Sequence, residues 1–270
     1  MPAEYQITAF LDNEDSPDIM NPIHSTAVAA TYGYKAPLVG GVTVYGWGAR
    51  PIMAVLGDAW LEDGWVDVSF RRPVFPGDVL TISATEEGDG ARLAWTNQAG
   101  AACIEGTAGR GAAPWLGEIA VPGRRRAEPA SETLPHLTME NAPIGEELRP
   151  CAFPYPMSEA EEYARDHQRD HNAPWVGEGA RIHPGWLAGR MTRFLHHNYE
   201  YGPSIHARSQ IQHLAPLLAG QTITVAGSIE QVYERKGHHY AIVDGLVLDE
   251  GGREIGRMRH TTAFHLARRD

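Results

Sequence analysis

The chain contains little cysteine: two residues in 270, Cys103 and Cys151, without CxxC spacing. So few cysteines, so far apart, exclude a disulfide framework and a zinc ribbon, and both are expected to be buried apolar fillers. The sequence also lacks a basic amino-terminal region followed by an apolar stretch, and any apolar run near the ~18 residues of a membrane span. A cytoplasmic protein without a membrane partner is therefore predicted.

Positive charge is also scarce, because 23 Lys and Arg face 34 Asp and Glu, a formal charge of −11. Nucleic acids and anionic membranes bind through clustered Lys and Arg, so neither is expected as the main partner. The 13 histidines show no His-Glu-x-x-His or Cys/His spacing, so no metal site is predicted. No Walker loop, dinucleotide fingerprint or Gly-x-Ser-x-Gly elbow occurs, so neither a cofactor nor covalent serine chemistry is predicted.

What the chain does contain is an internal repeat of predicted elements. In the first half, Gly40-Gly41 precedes an apolar segment at 42–56 that is long enough for a helix, and strands are predicted within 66–82, 91–97 and 101–107. In the second half, His183-Pro184-Gly185 precedes a helix at 186–198, and strands follow within 204–213, 217–225, 240–248 and 254–266. The Gly-Asp-Val-Leu-Thr-Ile sequence at 77–82 corresponds to Gly-Gln-Thr-Ile-Thr-Val at 220–225.

This repeat predicts an α+β fold with two similar units, residues 1–112 and 151–270. Residues 113–150, rich in Pro, Glu and Arg, are predicted to be a linker. One long helix lying across a curved antiparallel sheet covers the apolar face of that sheet in each unit. Two such units can pair strand to strand and protect their edges, so the chain is expected to be a monomer or a homodimer.

The segment Asn21-Pro22-Ile23-His24 carries the residue types for acid–base chemistry. Asn-Pro favours a tight turn, because Pro presets φ and Asn hydrogen-bonds local backbone, so His24 would be held in place. Gly41 lies at the predicted start of a helix, where an exposed N–H points along the positive end of the helix dipole. An imidazole, a carboxylate and such a donor together suit proton transfer and the stabilisation of an anionic oxygen.

Residues 18–41 resemble the hydratase motif of MaoC-like (R)-specific enoyl-CoA hydratases, an Asp-x-Asn-Pro-x-His segment followed by a small residue and a glycine that opens the central helix. Residues 70–82 resemble the later Phe-x-x-Pro-Val-x-x-Gly-Asp-x-Leu stretch of that family. The resemblance implies a double hotdog fold, in which two curved antiparallel sheets each wrap around a central helix. It also implies a thioester substrate on CoA or an acyl carrier protein, with His24 as the acid/base, Gly41 as the oxyanion donor and Asn21 as a further oxyanion- or substrate-binding residue.

The carboxylate departs from the family pattern. The family's Asp stands two residues before the Asn, a position that Ile19 holds here, and the nearest carboxylate is Asp18. A bulge could return Asp18 to the site, and Asp18 is our predicted catalytic partner of His24. Asp15, Glu14 or no carboxylate remain alternatives.

The second half contains a partial copy of the same motif. Asp170 and Asn172 keep the Asp-x-Asn spacing, but Ala173 separates Asn from Pro, and Trp175 stands where the histidine is expected. This half is predicted to be non-catalytic and to widen the acyl pocket, and the resemblance then implies a bulky acyl chain.

The leading functional hypothesis is a carbon–oxygen lyase of fatty acid metabolism, which reversibly hydrates or dehydrates an enoyl or 3-hydroxyacyl thioester, a CoA ester by expectation. One alternative is a hotdog thioesterase, which would need a carboxylate on or near the central helix, where residues 42–56 offer none. The other is a non-catalytic acyl-CoA-binding protein.

Overall fold

The ten strands of the chain form one antiparallel sheet in a computed structural model that describes residues 2–172 and 174–268. The strands are β1 (Ala3–Thr8), β2 (Gly64–Phe70), β3 (Val79–Glu87), β4 (Gly90–Asn97), β5 (Ala102–Arg110), β6 (Cys151–Tyr155), β7 (Ile205–His213), β8 (Gln221–Arg235), β9 (His238–Leu248) and β10 (Glu254–His265). Their spatial order is β1-β3-β4-β5-β2-β7-β10-β9-β8-β6.

The helices lie between the strands. They are α1 (Thr26–Thr31), α2 (Gly41–Gly46), α3 (Ala49–Leu56), α4 (Trp60–Asp63), α5 (Met157–Glu162) and α6 (Pro184–Asn198). A π-helical turn (Tyr163–His167) continues α5, and short 3₁₀ turns cover Pro22–His24 and Leu116–Glu118.

The pairing of β2 with β7 joins the two halves of the chain into one sheet. The pairing is antiparallel and runs from Trp65 opposite Gln212 to Ser69 opposite Arg208. A single apolar core cluster extends through both halves and contains Trp95 of β4 and Trp186 of α6. The predicted α+β class is confirmed, and the predicted strands are present, although β8 continues to Arg235, ten residues beyond the segment predicted at 217–225.

Two strands, β1 and β6, were absent from the sequence predictions and form the two edges of the sheet. β6 contains Pro154, which cannot donate a ladder hydrogen bond and is tolerated at an edge. Between residues 111 and 150 the backbone has one 3₁₀ turn and isolated bridges. The division into 1–112, 113–150 and 151–270 stays a prediction.

The helix predicted at 42–56 is interrupted at Trp47 and Gly48, between α2 and α3. Pro51 cannot donate the helical hydrogen bond to the carbonyl of Trp47, which weakens the helix at this point. Gly48 also packs against Trp95 so closely that a Cβ on it would lie 2.0 Å from the indole ring. The single helix predicted in the second half is confirmed as α6, with Pro184 in its first turn.

The helices α2 and α6 cross in close contact. A Cβ on Gly185 would lie 2.8 Å from the carbonyl oxygen of Val42 and 3.0 Å from the Cα of Gly46. Glycine at position 185 therefore allows the amino-terminal ends of the two central helices to lie side by side.

Two further sequence expectations concern the cysteines and membrane-spanning helices. Cys103 is buried as expected, whereas Cys151 is only part-buried, and both are free thiols. In the described ranges 2–172 and 174–268, no helix is long and apolar enough to span a bilayer.

Candidate active site

A cavity of about 590 Å³ lies where the 3₁₀ turn at Pro22–His24, α2 and α6 meet. Asn21, His24 and Gly41 all line it, as does the part of α6 from Gly185 to Arg193. Three of the four predicted site residues are thus brought together in one cavity, which has walls from both halves of the chain. The fourth, Asp18, is outside it.

His24 presents a nitrogen lone pair within the site. Its Nδ1 lies 2.7 Å from the carbonyl oxygen of Leu38, which can only accept, so Nδ1 carries the proton of the neutral ring. Nε2 is then unprotonated and lies 3.2 Å from the amide nitrogen of Asn21. Burial lowers the pKa of His24, although the Leu38 carbonyl and the charge of Asp12 oppose the shift. The imidazole is therefore held neutral, in the tautomer of a base.

Asn21 fixes this turn to the second half of the chain. Its side-chain amide donates to the carbonyl oxygen of Ser204 at 3.0 Å, and its carbonyl oxygen accepts from the backbone N–H of Ser204 at 3.0 Å. This pair of hydrogen bonds has the donor–acceptor pattern of two paired β-strands, with the Asn21 side chain in place of one backbone. Ser204 is buried, so the contact that positions His24 is anchored in the protein interior.

Asp12 is the carboxylate of the cavity, and sequence reasoning missed it. Its Oδ2 accepts from Thr43 Oγ1 at 2.5 Å and lies 3.0 Å from Nδ1 of His167. Burial would raise the pKa of Asp12, but the hydrogen bonds of His167 and Thr43 outweigh it and hold the pKa below its ordinary value. The same hydrogen bond raises the pKa of His167. Asp12 is therefore an ionised carboxylate, and its charge acts on His24.

The carboxylates considered in the sequence analysis lie elsewhere. Asp18 is exposed, its backbone N–H donates to Ser16 Oγ at 3.2 Å, and it does not line the cavity. Asp15 accepts from the N–H and the hydroxyl of Thr26, at 2.7 and 2.6 Å, and so caps α1. Glu14 is also exposed. The sequence contained a clue to Asp12. Thr43 lies in a mostly apolar helix, and its hydroxyl needs a hydrogen-bond partner because it is buried.

Gly41 begins α2 in the cavity wall. No described atom accepts a hydrogen bond from its N–H, as expected for the first turn of a helix. A Cβ at this position would lie 3.2 Å from both Phe70 and His206, so a larger residue would crowd the wall. The donor is therefore free for a ligand.

A pair of histidines lies beside Gly41 on β7 and β10. His206 Nε2 lies 2.6 Å from Ser209 Oγ and 3.1 Å from His260 Nδ1, and His206 lines the cavity. Burial lowers the pKa of His260 to about 3 and that of His206 well below its ordinary value. Both are therefore neutral histidines on strands, and His206 is a neutral group of the cavity wall.

The corresponding residues of the second half form a closed network outside the cavity. Asp170 is buried, its Oδ1 accepts from the side chain of Asn172 at 2.7 Å, and its Oδ2 accepts from the indole of Trp175 at 3.2 Å. Trp175 packs on His183, with ring centroids 4.3 Å apart. Ala173 lies outside the described residues. Asp170 is thus fully engaged within its own segment.

No group of three or more potential metal ligands occurs among residues 2–172 and 174–268. The cavity is thus lined by two acceptors, His24 Nε2 and the carboxylate of Asp12, and by the residue whose backbone N–H has no partner, Gly41. This combination serves proton transfer and stabilisation of an anionic oxygen.

No family model and no curated protein matches the chain. Solved structures do match. A MaoC-like dehydratase aligns with a TM-score of 0.60 at 17% identity, over 97% of each chain. A conserved hypothetical protein from Mycobacterium tuberculosis with a double hotdog fold aligns with a TM-score of 0.65 at 14% identity, over 97% of this chain and 95% of that one.

A Lactobacillus plantarum protein described as an oleoyl thioesterase also aligns, with a TM-score of 0.51 at 9% identity, over 98% of this chain and 97% of that one. The structural neighbours therefore include both dehydratases and thioesterases, and the likeness is one of fold. The chain has the double hotdog fold of the MaoC-like dehydratases, as its sequence resemblance predicts.

Proposed function

We propose that this protein is a carbon–oxygen lyase that reversibly hydrates an enoyl thioester, on CoA or an acyl carrier protein. The observation that carries the proposal is the tautomer of His24, whose unprotonated Nε2 accepts only from the Asn21 amide, in a cavity that also holds the ionised carboxylate of Asp12. We assign to Asp12 the part that the sequence analysis gave to Asp18.

In the proposed reaction, a water molecule binds between His24 Nε2 and Oδ1 of Asp12, an oxygen to which no other described residue donates. His24 accepts a proton as the water oxygen bonds to the β-carbon of the enoyl group. The π electrons move to the α-carbon and the thioester oxygen. The imidazolium, stabilised by the charge of Asp12, then returns the proton to the α-carbon, so that one water has been added.

The negative charge that develops on the thioester oxygen needs a donor already in place. In the proposal this donor is the N–H of Gly41, at the positive end of α2. Asn21 positions His24, because its side chain is bound to the Ser204 backbone and its amide nitrogen also lies 3.2 Å from His24 Nε2, which it releases when water binds there. The reverse steps dehydrate a 3-hydroxyacyl thioester.

Thioester hydrolysis is the second candidate, because one observation favours it. The hydrogen bond from Thr43 places the carboxylate of Asp12 against the central helix α2, where the sequence alone offered no acid. In a thioesterase, Asp12 and His24 would direct water to the carbonyl carbon instead of the β-carbon. The products distinguish the two reactions, because only hydrolysis releases a free thiol.

The test is to incubate the protein with a panel of 2-enoyl-CoA esters while recording both loss of the conjugated thioester absorbance and release of free thiol. We expect absorbance loss without thiol release. Asp12→Asn and His24→Gln should each lower kcat/KM roughly 10²- to 10⁴-fold, the usual contribution of a general acid–base group.

Asp18→Asn is the matched control, since it makes the same chemical change outside the cavity, and its kcat/KM should equal that of the wild type. Stoichiometric thiol release would establish the thioesterase. Binding of an ester without either signal would favour the acyl-CoA-binding protein.

A further inference from the structure

One face of α6 carries positive charge into the cavity. Trp186, Gly189, Arg190 and Arg193 follow helical spacing and all line it. Gly189 faces Val42 of α2, at 3.6 Å from a Cβ placed on it, so this face continues the wall that begins at Gly41. The acyl part of a thioester held at Gly41 and His24 would therefore extend toward Arg190.

The guanidinium of Arg190 is held between aromatic rings. Its carbon lies 3.8 Å from the ring centre of Trp186 and 5.5 Å from that of Phe153, and its Nε donates to the carbonyl oxygen of Trp186 at 3.1 Å. Stacking and this bond fix the plane of the guanidinium. Both Nη groups are left without a hydrogen-bond partner among the described residues, so the fork is preformed.

No carboxylate compensates this charge. Asp12 is the one acidic residue among the described residues of the cavity wall. Glu159, the acid that acts on Arg190, is beyond ion-pair distance, and its Oε1 accepts from the indole of Trp186 at 2.7 Å. Burial, followed by the neighbouring charge of Arg193, lowers the pKa of Arg190 to about 9. A part-buried guanidinium without a counter-ion within ion-pair distance is costly, and a ligand anion would relieve that cost.

We propose that Arg190, assisted by Arg193, binds a carboxylate on the acyl chain, so that the substrate is the monothioester of a dicarboxylic acid. This deepens the proposed function and rests on it for the position of the thioester. A carboxylate is favoured over a CoA phosphate because Arg190 lines the same cavity as His24 and Gly41, and its guanidinium packs on the ring of Trp186, which lines that cavity too.

The test measures binding of saturated thioesters, which cannot be hydrated. Glutaryl and pentanoyl thioesters have five acyl carbons each and differ in the terminal carboxylate, and each is prepared both on CoA and on N-acetylcysteamine, which has no phosphate. We expect the wild type to bind the glutaryl ester about 10- to 100-fold more tightly on either carrier, as for a hydrogen bond to a charged group. Arg190→Met should abolish this preference.

Arg165→Met is the matched control, because Arg165 is exposed, pairs with its neighbour Asp166 and does not line the cavity; its preference should be that of the wild type. Arg190→Lys keeps the charge and loses the fork, and should retain part of the preference if Arg190→Met fails to fold. Equal binding of both esters by the wild type would overturn the proposal. So would an effect of Arg190→Met on CoA esters alone, which would assign the fork to a CoA phosphate.

Hydration is assayed separately, in the wild type, with both pent-2-enoyl-CoA and 4-carboxybut-2-enoyl-CoA, which carries the terminal carboxylate. A glutaryl preference without hydration would leave the carboxylate site standing and refute the lyase. Hydration without a glutaryl preference would support the lyase and refute the carboxylate site.

Discussion

At the scale of single residues, the neighbours of His24 decide which form of the imidazole exists in the site. The Leu38 carbonyl selects the tautomer, burial disfavours the charged ring, and Asp12 opposes that effect. The carboxylate in turn owes its ionisation to His167 and Thr43. Their different surroundings therefore keep the imidazole neutral and the carboxylate charged at the same pH.

The pH dependence of kcat/KM should report this arrangement. Protonation of His24 removes the acceptor, so activity is lost as the pH falls through a pKa that burial has moved below the ordinary value of about 6.5. Asp12 has a lowered pKa and stays ionised over the same range. An acid limb centred at or above the ordinary histidine value would contradict the assignment.

Removing the charge of Asp12 should move the titration of His24 further down, because a carboxylate favours the protonated ring. NMR titration of the imidazole in Asp12→Asn measures this shift directly and needs no activity. In the control variant Asp18→Asn, His24 should titrate as it does in the wild type.

The sequence predicted His24, Asn21 and Gly41 in one site because each is part of a local motif. Asp12 was not predicted, since its partner His167 is on the other half of the chain and their contact exists only after folding. The same holds for Arg190, which lies within the predicted helix at 186–198 but whose lack of a counter-ion depends on residues brought around it by folding.

At the scale of elements, glycines set how closely helices approach each other. The sequence predicted α6 nearly to the residue, because its apolar periodicity and Pro184 start signal are local. It did not predict the break between α2 and α3, for which Pro51 was a local signal, while the contact of Gly48 with Trp95 exists only after folding. β1 alternates polar and apolar residues and could have been recognised from its period of two.

Gly185→Ala and Gly189→Ala form a matched pair on α6. A Cβ at 185 would lie 2.8 Å from the Val42 carbonyl oxygen, whereas a Cβ at 189 would make ordinary contact at 3.6 Å. We expect Gly185→Ala to lower the free energy of unfolding by about 1–3 kcal/mol through overpacking. Gly189→Ala should raise it by roughly 0.5–1 kcal/mol, because glycine is unfavourable in a helix. Chemical denaturation measures both, and equal effects would refute the close crossing.

At the scale of the whole molecule, the β2–β7 pair joins the two halves into one sheet. Gln212 of β7 is buried at the junction, where its Oε1 accepts from the backbone N–H of Ala113 at 2.7 Å. Its Nε2 lies within 3.2 Å of four carbonyl oxygens, those of Asp63, Gly64, Gly111 and His213. One side chain thus satisfies backbone groups of both halves.

Gln212→Leu should leave these buried groups without partners and lower the free energy of unfolding by about 1–3 kcal/mol. Because the halves share one sheet and one core, unfolding should remain a single transition at a lower denaturant midpoint. Gln231→Leu, at an exposed position of β8, should leave the midpoint within about 0.5 kcal/mol of the wild type. Two separate transitions in the wild type would show that the halves fold independently.

The cavity wall is built from two halves of different sequence. When two identical chains pair, every substitution occurs twice and alters both copies of a shared site. In this chain, a substitution on α6 occurs once and leaves the turn that holds His24 unchanged. Acyl selectivity and reaction chemistry can therefore diverge through separate mutations, and a library restricted to the cavity face of α6 would sample new acyl groups while retaining the reacting residues.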